Sequence, residues 1–274
     1  MLRAVHERMP LERTIYVGDL LHFPYGPRYQ EEVKRFAFDI IRYLARRDVK
    51  LVVIACNTAT AAALHHAREV FDVPIVGVIS PGAQAAVEVT RKGLVGVICT
   101  EGTLLSQEYL HAIKELNPMV GVFQKACPEL VEIVEAGDAD SPRAQEVLRR
   151  DLAEIVHLGA DVLVLGSTHY LHLRGSIERV FPGRFTLIDS ASTAAAMVER
   201  RLDHARMRAT RASGHIEHEL LVTAVPERFN EVTEILFGEG VPAVRKIHIP
   251  PHEAGVRGTP GFGAARLAAE RRAT

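Results

Sequence analysis

The chain has 274 residues, enough for one large domain or two modest ones with a sizeable core. Its 33 basic and 34 acidic residues nearly cancel, and this balance argues against nucleic-acid and membrane-surface roles. The three cysteines form no C-x-x-C pair, so neither a disulfide scaffold nor a structural zinc site is indicated. No apolar stretch has the length of a signal peptide or a membrane span, and the predicted location is the cytoplasm.

Short apolar runs alternate along the chain with longer amphipathic segments. The runs are typical of strands buried on both faces, and the amphipathic segments have helical spacing. The predicted strands are Leu51 to Ile54, Pro74 to Ile79, Gly93 to Ile98, Asp161 to Leu165 and Phe185 to Ile188. The clearest predicted helices are Gln30 to Arg47 and Arg143 to Leu158. This alternation predicts an α/β fold with mostly parallel sheets flanked by helices.

The turn-rich residues Ser80, Pro81 and Gly82 divide the predicted units into two sets, which suggests two lobes with an active site between them. A late piece, from Glu219 to Thr223 through Ile247 to Ile249, is expected to return to the first lobe as a hairpin or a strand-helix-strand unit. The expected boundaries are 1–80 plus 190–250 for the first lobe, 81–189 for the second and 251–274 for a tail.

Cys56 follows a predicted strand within LVVIACNTATAAAL, where the chain turns into an Ala-rich helix. A thiol at a helix N-terminus faces backbone N–H groups, so we expect a lowered pKa and an available thiolate. The alternative is that Cys56 is a buried apolar residue and that Asn57 and Thr58 only cap the helix.

A second segment, DVLVLGSTHYLHL, has the same layout, with Ser167, Thr168 and His169 after a strand. Both segments offer polar atoms at a strand's carboxyl end, where parallel sheets bind ligands. The alternative here is a Ser/Thr cap with a histidine donating to a local carbonyl.

Two further segments could contribute to a site. The loop FPYGPRY presents Tyr25 and Gly26. The segment PELVEIVEAGD carries Glu132 and Glu135, and the carboxylate of either could orient His169. The alternative is that both glutamates are solvated charges on a helix surface. No dinucleotide, Walker or nucleophile-elbow motif occurs in the required context, so no nucleotide cofactor is expected. The 13 histidines are scattered without a ligand array, and no metal is expected.

Six ordered segments resemble the motifs of the glutamate racemase family, within the cofactor-independent amino acid racemase superfamily. They are YVGDLLHFPYGPR, LVVIACNTATAAAL, PIVGVISPGAQAA, VGVICTEGTLLSQEY, ACPELVEIVEAGD and LVLGSTHYLHL. The resemblance extends from about residue 2 to about 249. It implies two α/β lobes, a cleft between them and interconversion of L-glutamate and D-glutamate for peptidoglycan synthesis. The resemblance implies no cofactor and no nucleic-acid or membrane partner. It leaves the oligomeric state open, and a homodimer is one possibility.

The family's chemistry uses two cysteines on opposite faces of the substrate α-carbon. By matching position, the resemblance implies that Cys56 is one of them and that Ser167 stands where the second occurs. It also implies substrate binding by Tyr25, Gly26, Asn57, Thr58, Thr168 and His169, with Glu135 supporting His169.

The chain departs from the family pattern in two places. A serine hydroxyl is a far weaker acid than a thiol, so proton transfer at Ser167 is expected to be impaired. The family's first strand and Asp-Ser-Gly loop also have no counterpart, so either Met1 lies downstream of the authentic start or the first lobe lacks a central strand. Two alternatives to a racemase remain: a one-cysteine decarboxylase-like or isomerase-like enzyme, and a degenerate protein that binds an amino acid or a partner.

Overall fold

The computed structural model describes residues 1–210, 216, 218–224 and 243–251. Strands and helices alternate through this part of the chain. The strands are β1 (Ile15–Gly18), β2 (Val52–Ile54), β3 (Ile75–Gly77), β4 (Leu94–Cys99), β5 (Gly121–Ala126), β6 (Val162–Gly166), β7 (Thr186–Asp189), β8 (Glu219–Val222) and β9 (Val244–Lys246). The α-helices are α1 (Leu2–Arg8), α2 (Gln30–Ala45), α3 (Asn57–Val70), α4 (Ile79–Val89), α5 (Glu101–Ser106), α6 (Glu108–Leu116), α7 (Pro128–Glu135), α8 (Pro142–Leu158), α9 (Arg174–Val180) and α10 (Ser190–His204). A 3₁₀ helix at Thr168–Leu173 follows β6.

The second lobe is built on a four-stranded parallel sheet with the order β5-β4-β6-β7. Every residue of β6 is buried, because helices cover both faces of the sheet. Helix α8 begins where the Ser141 hydroxyl accepts the amide of Ala144, and it ends at Gly159, whose φ of 92° suits glycine.

The strands of the first lobe form two separate parallel sheets among the described residues, β1-β8-β9 and β2-β3. The pairing of β8 with β1 brings the late part of the chain back to the first lobe. Because β8 and β9 are parallel, the hairpin alternative for this late piece is wrong, and its last strand is Val244–Lys246 rather than Ile247 to Ile249. The tail predicted at 251–274 lies outside the described residues, apart from Pro251.

The α/β fold class with two lobes is confirmed, with three local corrections. Ser80, Pro81 and Gly82 are not a turn but lie in α4, where a proline in the first turn loses no intrahelical hydrogen bond. The strands β1 and β5 were not recognised. All six residues of β5 are only half-buried, so its apolar signal is weak.

Hydrogen bonds join the two lobes close to the ends of their strands. The Gly102 amide donates to the Gly26 carbonyl over 3.1 Å, and the hydroxyls of Thr58 and Thr100 are 2.9 Å apart. These contacts hold the loop after β1 and the start of α3 against the second lobe.

No helix in the described part of the chain combines the length and apolar character needed to cross a membrane.

Candidate active site

One continuous cavity of about 2130 Å³ lies at the junction of the two lobes. It is lined by all nine residues to which the resemblance assigns a role, namely Tyr25, Gly26, Cys56, Asn57, Thr58, Glu135, Ser167, Thr168 and His169. They come together because Cys56 follows β2 in the first lobe and Ser167 follows β6 in the second. The carboxyl ends of parallel strands in both lobes therefore open into the same space.

Cys56 is the N-cap residue of α3, with extended backbone angles. The amides of Thr58 and Ala59 and the Thr58 hydroxyl stabilise the thiolate, as expected at a helix N-terminus. Burial has a larger effect and raises the pKa of Cys56 above its ordinary value. The prediction of a lowered pKa is therefore wrong, because desolvation outweighs the three hydrogen bonds to the sulfur.

Ser167 is buried and caps the 3₁₀ helix, with its hydroxyl accepting the amide of His169. The same hydroxyl lies 3.3 Å from Nδ1 of His169, and Nε2 of that ring lies 2.6 Å from a carboxylate oxygen of Glu135. Because an ionised carboxylate only accepts hydrogen bonds, Nε2 carries hydrogen in the neutral ring and Nδ1 accepts from Ser167. The Ser167 cap of the alternative is thus present, but the histidine contacts the carboxylate of Glu135 and not a local carbonyl.

Asn57 and Thr58 are buried, and their side chains hold the lobes together. The Asn57 amide oxygen accepts the hydroxyl of Tyr109 over 2.8 Å, and its nitrogen donates to Ser190 over 3.2 Å. Thr58 contacts both Thr100 and the Cys56 thiol. These contacts position Cys56, and they leave only part of the hydrogen-bonding capacity of Asn57 for a ligand.

The sequence reasoning missed Asp19, which follows β1 and lines the cavity. Its carboxylate accepts the hydroxyls of Tyr25 over 2.5 Å and Thr223 over 2.8 Å. Burial and the contact with Asp19 raise the pKa of Tyr25, so the phenol stays protonated and donates inside the protein rather than facing a ligand freely. The sequence does contain a signal for Asp19, because this residue directly follows the short run Ile15 to Gly18. That run was not recognised as a strand, so the residue after it was not considered.

Known proteins similar to this chain include both sequences and solved structures. Residues 1–198 match the family described as Asp/Glu/Hydantoin racemase. A glutamate racemase from Geobacter metallireducens is 41% identical over 239 residues, covering 87% of this chain and 88% of the relative. One from Enterococcus faecalis is 37% identical over 253 residues, covering 92% and 93%.

Two crystal structures extend the similarity to the fold. A glutamate racemase isoform from Bacillus anthracis superimposes with a TM-score of 0.86 at 33% identity, covering 92% of this chain and 93% of that one. A glutamate racemase from Francisella tularensis in complex with D-glutamate superimposes with a TM-score of 0.85 at 26% identity, covering the same shares of each chain. Since the sequence matches and the superpositions both extend over most of its length, the chain belongs to the Asp/Glu/Hydantoin racemase family and is an amino acid racemase.

Proposed function

We propose that this protein is a glutamate racemase that transfers protons through Cys56 and supplies D-glutamate for peptidoglycan. One observation carries the proposal: Cys56 from the first lobe and the Ser167, His169 and Glu135 cluster from the second line a single cavity. Two acid-base groups supplied by separate lobes can act on opposite faces of one α-carbon. Glutamate as the substrate is supported by relatives named glutamate racemases, one of them solved with D-glutamate.

On the first face, Cys56 acts as a thiolate that removes the α-proton. The amides of Thr58 and Ala59 and the hydroxyl of Thr58 are aimed at the sulfur and favour its anion. The same sulfur, once protonated, returns a proton to the carbanion. Cys56 alone can therefore exchange the α-proton of one enantiomer with solvent, without inversion.

On the second face, the Ser167 hydroxyl is the group next to His169. A serine hydroxyl does not ionise appreciably near neutral pH, so it acts only as a relay. It gives its proton to the carbanion while taking one from Nδ1 of a protonated His169, and Glu135 stabilises that imidazolium. The reverse step moves the α-proton through Ser167 to a neutral His169. This relay is slower than direct transfer to a thiolate, so we propose that net inversion is impaired while exchange at Cys56 persists.

The remaining cavity residues are assigned to binding the amino acid. Thr168 and His169 form the wall on the second lobe, and Gly26, Tyr25 and Asn57 form the wall on the first. Phe23 lies with its ring centroid 6.3 Å from that of His169, so the loop after β1 also reaches the second lobe. No cofactor enters this scheme.

Several broader points complete the proposal. We assign 1–80 plus 190–250 to the first lobe and 81–189 to the second, in a cytoplasmic enzyme that acts on a small molecule. For the oligomeric state we propose a homodimer, which sedimentation would test. The residues 211–215, 217, 225–242 and 252–274 lie outside the described part of the chain.

An isotope-exchange assay tests the function. L-glutamate and D-glutamate are incubated separately with the protein in D₂O, and α-deuterium and optical rotation are followed together. We expect exchange of the enantiomer whose α-hydrogen faces Cys56 to outpace net inversion. Rapid exchange of both enantiomers with matching inversion would show that Ser167 is no handicap. Exchange of neither would contradict the racemase and leave a binding protein.

The pH dependence of exchange follows from the pKa of Cys56. Burial raises this pKa above the ordinary thiol value of about 8.5, so only a small fraction is thiolate at neutral pH. The kcat/KM for exchange should therefore keep rising with pH beyond about 8.5, because that parameter reports the free enzyme. If kcat/KM for exchange instead reaches a plateau at or below about pH 7, the expectation is wrong. The helix N-terminus would then lower the pKa of Cys56 by more than burial raises it.

A further inference from the structure

Three threonine hydroxyls form a chain that leads from the second lobe to Cys56. The Thr103 hydroxyl lies 3.1 Å from that of Thr100, and the Thr100 hydroxyl lies 2.9 Å from that of Thr58. Thr58 in turn hydrogen-bonds the Cys56 thiol. Thr100 and Thr103 lie at the start of α5 in the second lobe, whereas α3 of the first lobe begins directly after Cys56. This hydroxyl chain therefore connects the second lobe to the sulfur on the first.

The buried end of the hydroxyl chain determines the direction of its hydrogen bonds. Thr103 is fully buried, and its hydroxyl has no hydrogen-bond partner other than Thr100 in the described part of the chain. If the hydrogens pointed away from Cys56, the Thr103 hydrogen would lack an acceptor, which is costly inside a protein. When they point toward Cys56, each hydroxyl donates to the next oxygen and Thr58 donates to the sulfur. This direction favours the thiolate, which is the stronger acceptor.

Thr100 is placed to orient the Thr58 side chain. It is the N-cap residue of α5, but its hydroxyl does not cap that helix and contacts Thr58 and Thr103 instead. A threonine in a helix has a competing orientation, in which its hydroxyl bonds a carbonyl three or four residues earlier. The contact with Thr100 therefore holds the Thr58 hydroxyl in the orientation that reaches Cys56.

The backbone of the two lobes approaches closely beside this contact. A Cβ added to Gly102 would lie 2.9 Å from Cγ2 of Thr58 and 3.1 Å from the carbonyl oxygen of Gly26. The amide of Gly102 also donates to that same carbonyl. Because a glycine allows this approach, the hydroxyls of Thr58 and Thr100 can meet directly, without a water between them.

Hydrogen bonds are what favours the thiolate of Cys56. They come from the amides of Ala59 and Thr58 and from the Thr58 hydroxyl, and they lower the pKa that burial raises, with no contribution from a charged side chain of the described residues. The titratable groups whose charges interact with the sulfur are Tyr16 of β1 and Tyr25 in the loop after it. Burial raises the pKa of both phenols above the ordinary value, so both are neutral at working pH.

We propose that Thr100 is a positioning residue that orients the Thr58 hydroxyl toward Cys56, so that the second lobe stabilises the thiolate formed on the first. Thr103 supports Thr100 from its buried side. The inference rests on the proposed function, in which this thiolate removes the α-proton. Thr100 acts on the sulfur without touching it, so loss of its hydroxyl should change the acidity of Cys56 and leave the fold in place.

The test measures the acidity of Cys56 in the full chain without substrate. The alkylation rate with iodoacetamide is followed against pH, because the thiolate is the reacting form and the other two cysteines are fully buried. Thr100→Val removes the hydroxyl and keeps the shape of the side chain. It should move the profile upward by about 0.5 to 1 pH unit, since complete loss of a hydrogen bond to a charged group corresponds to about 1 to 2 units.

Two further variants control for structural effects, and circular dichroism checks the fold of each. Thr100→Ser restores a hydroxyl and should restore the original profile. Ser106→Ala removes a hydroxyl of α5 that donates to the Thr103 carbonyl, outside the hydroxyl chain, and should leave the profile unchanged. An unshifted profile in Thr100→Val, or an equal shift in Thr100→Ser, would overturn the proposal.

A double-mutant cycle tests whether Thr100 acts through Thr58. Thr58→Val should shift the profile at least as far as Thr100→Val, and adding Thr100→Val to it should cause no further shift. An equal shift in both backgrounds would show that Thr100 acts on Cys56 by another route, and the proposal would be wrong. If Thr100→Val does not fold, Thr103→Val replaces it, because Thr103 lies outside the cavity lining and should give a smaller upward shift. No shift in that variant would count against the hydroxyl chain.

The α-proton exchange assay separates this inference from the proposed function. If both hold, kcat/KM for exchange in Thr100→Val shifts along the pH axis as far as the alkylation profile does. Loss of a substrate contact would instead raise KM at every pH and leave the profile in place, contrary to the proposal. A shifted alkylation profile in a protein that exchanges neither enantiomer would support the hydroxyl chain and contradict the racemase. Exchange with an unshifted alkylation profile would overturn the inference alone.

Discussion

Replacing Ser167 by cysteine is expected to raise net racemisation of glutamate by at least about tenfold, and by up to about 10⁴-fold. The reason is the acidity of the group next to His169. The serine hydroxyl can only relay protons between the α-carbon and Nδ1, 3.3 Å away, whereas a thiol can ionise and act directly. Each decade in rate corresponds to about 1.4 kcal/mol of transition-state stabilisation, so even partial restoration is measurable.

The measurement is circular dichroism of each enantiomer over time, with α-deuterium exchange followed in parallel. Ser192→Cys is a suitable control, because it places a thiol in the same cavity but on the first turn of α10. Its racemisation rate should match that of the unmodified chain. If Ser167→Cys also leaves racemisation unchanged while exchange at Cys56 continues, Ser167 is not the missing acid-base position.

The second large effect is expected from Cys56→Ser, which should reduce α-proton exchange by about 10²-fold to 10⁴-fold for the enantiomer that the unmodified protein exchanges. Cys56 is the only cysteine that lines the cavity among the described residues. A serine there supplies a hydroxyl oxygen, which is a favoured N-cap acceptor for α3, so the fold should persist while the ionisable sulfur is lost.

Cys99→Ala is the control for this experiment. Cys99 is fully buried outside the cavity, and burial raises its pKa to about 12, so it supplies no thiolate at working pH. Its removal should leave exchange per folded molecule unchanged. If Cys56→Ser protein still exchanges the α-proton, another base performs the reaction and the cysteine-based mechanism is wrong.

The sequence alone predicted the fold class, and it singled out candidate site residues that the fold brings to one cavity. Apolar runs bounded by helical segments locate β2 and β6, and Cys56 and Ser167, which follow these strands within two residues, line one cavity. This works because a parallel strand buried on both faces leaves a local signal, and its carboxyl end is the edge where ligands bind. The weak, half-buried strand β5 left no such signal.

Only the tertiary structure decided the properties that depend on residues distant in sequence. The helix N-terminus at Cys56 is local and was foreseen, but the sign of its pKa shift depends on how many distant residues exclude water from the sulfur. Likewise, Asn57 contacts Tyr109 across the lobe boundary and Ser190 at the distant start of α10, and Asp19 meets Thr223 through the pairing of β1 with β8. Burial and long-range strand pairing depend on contacts throughout the fold, so they cannot be predicted from a local sequence pattern.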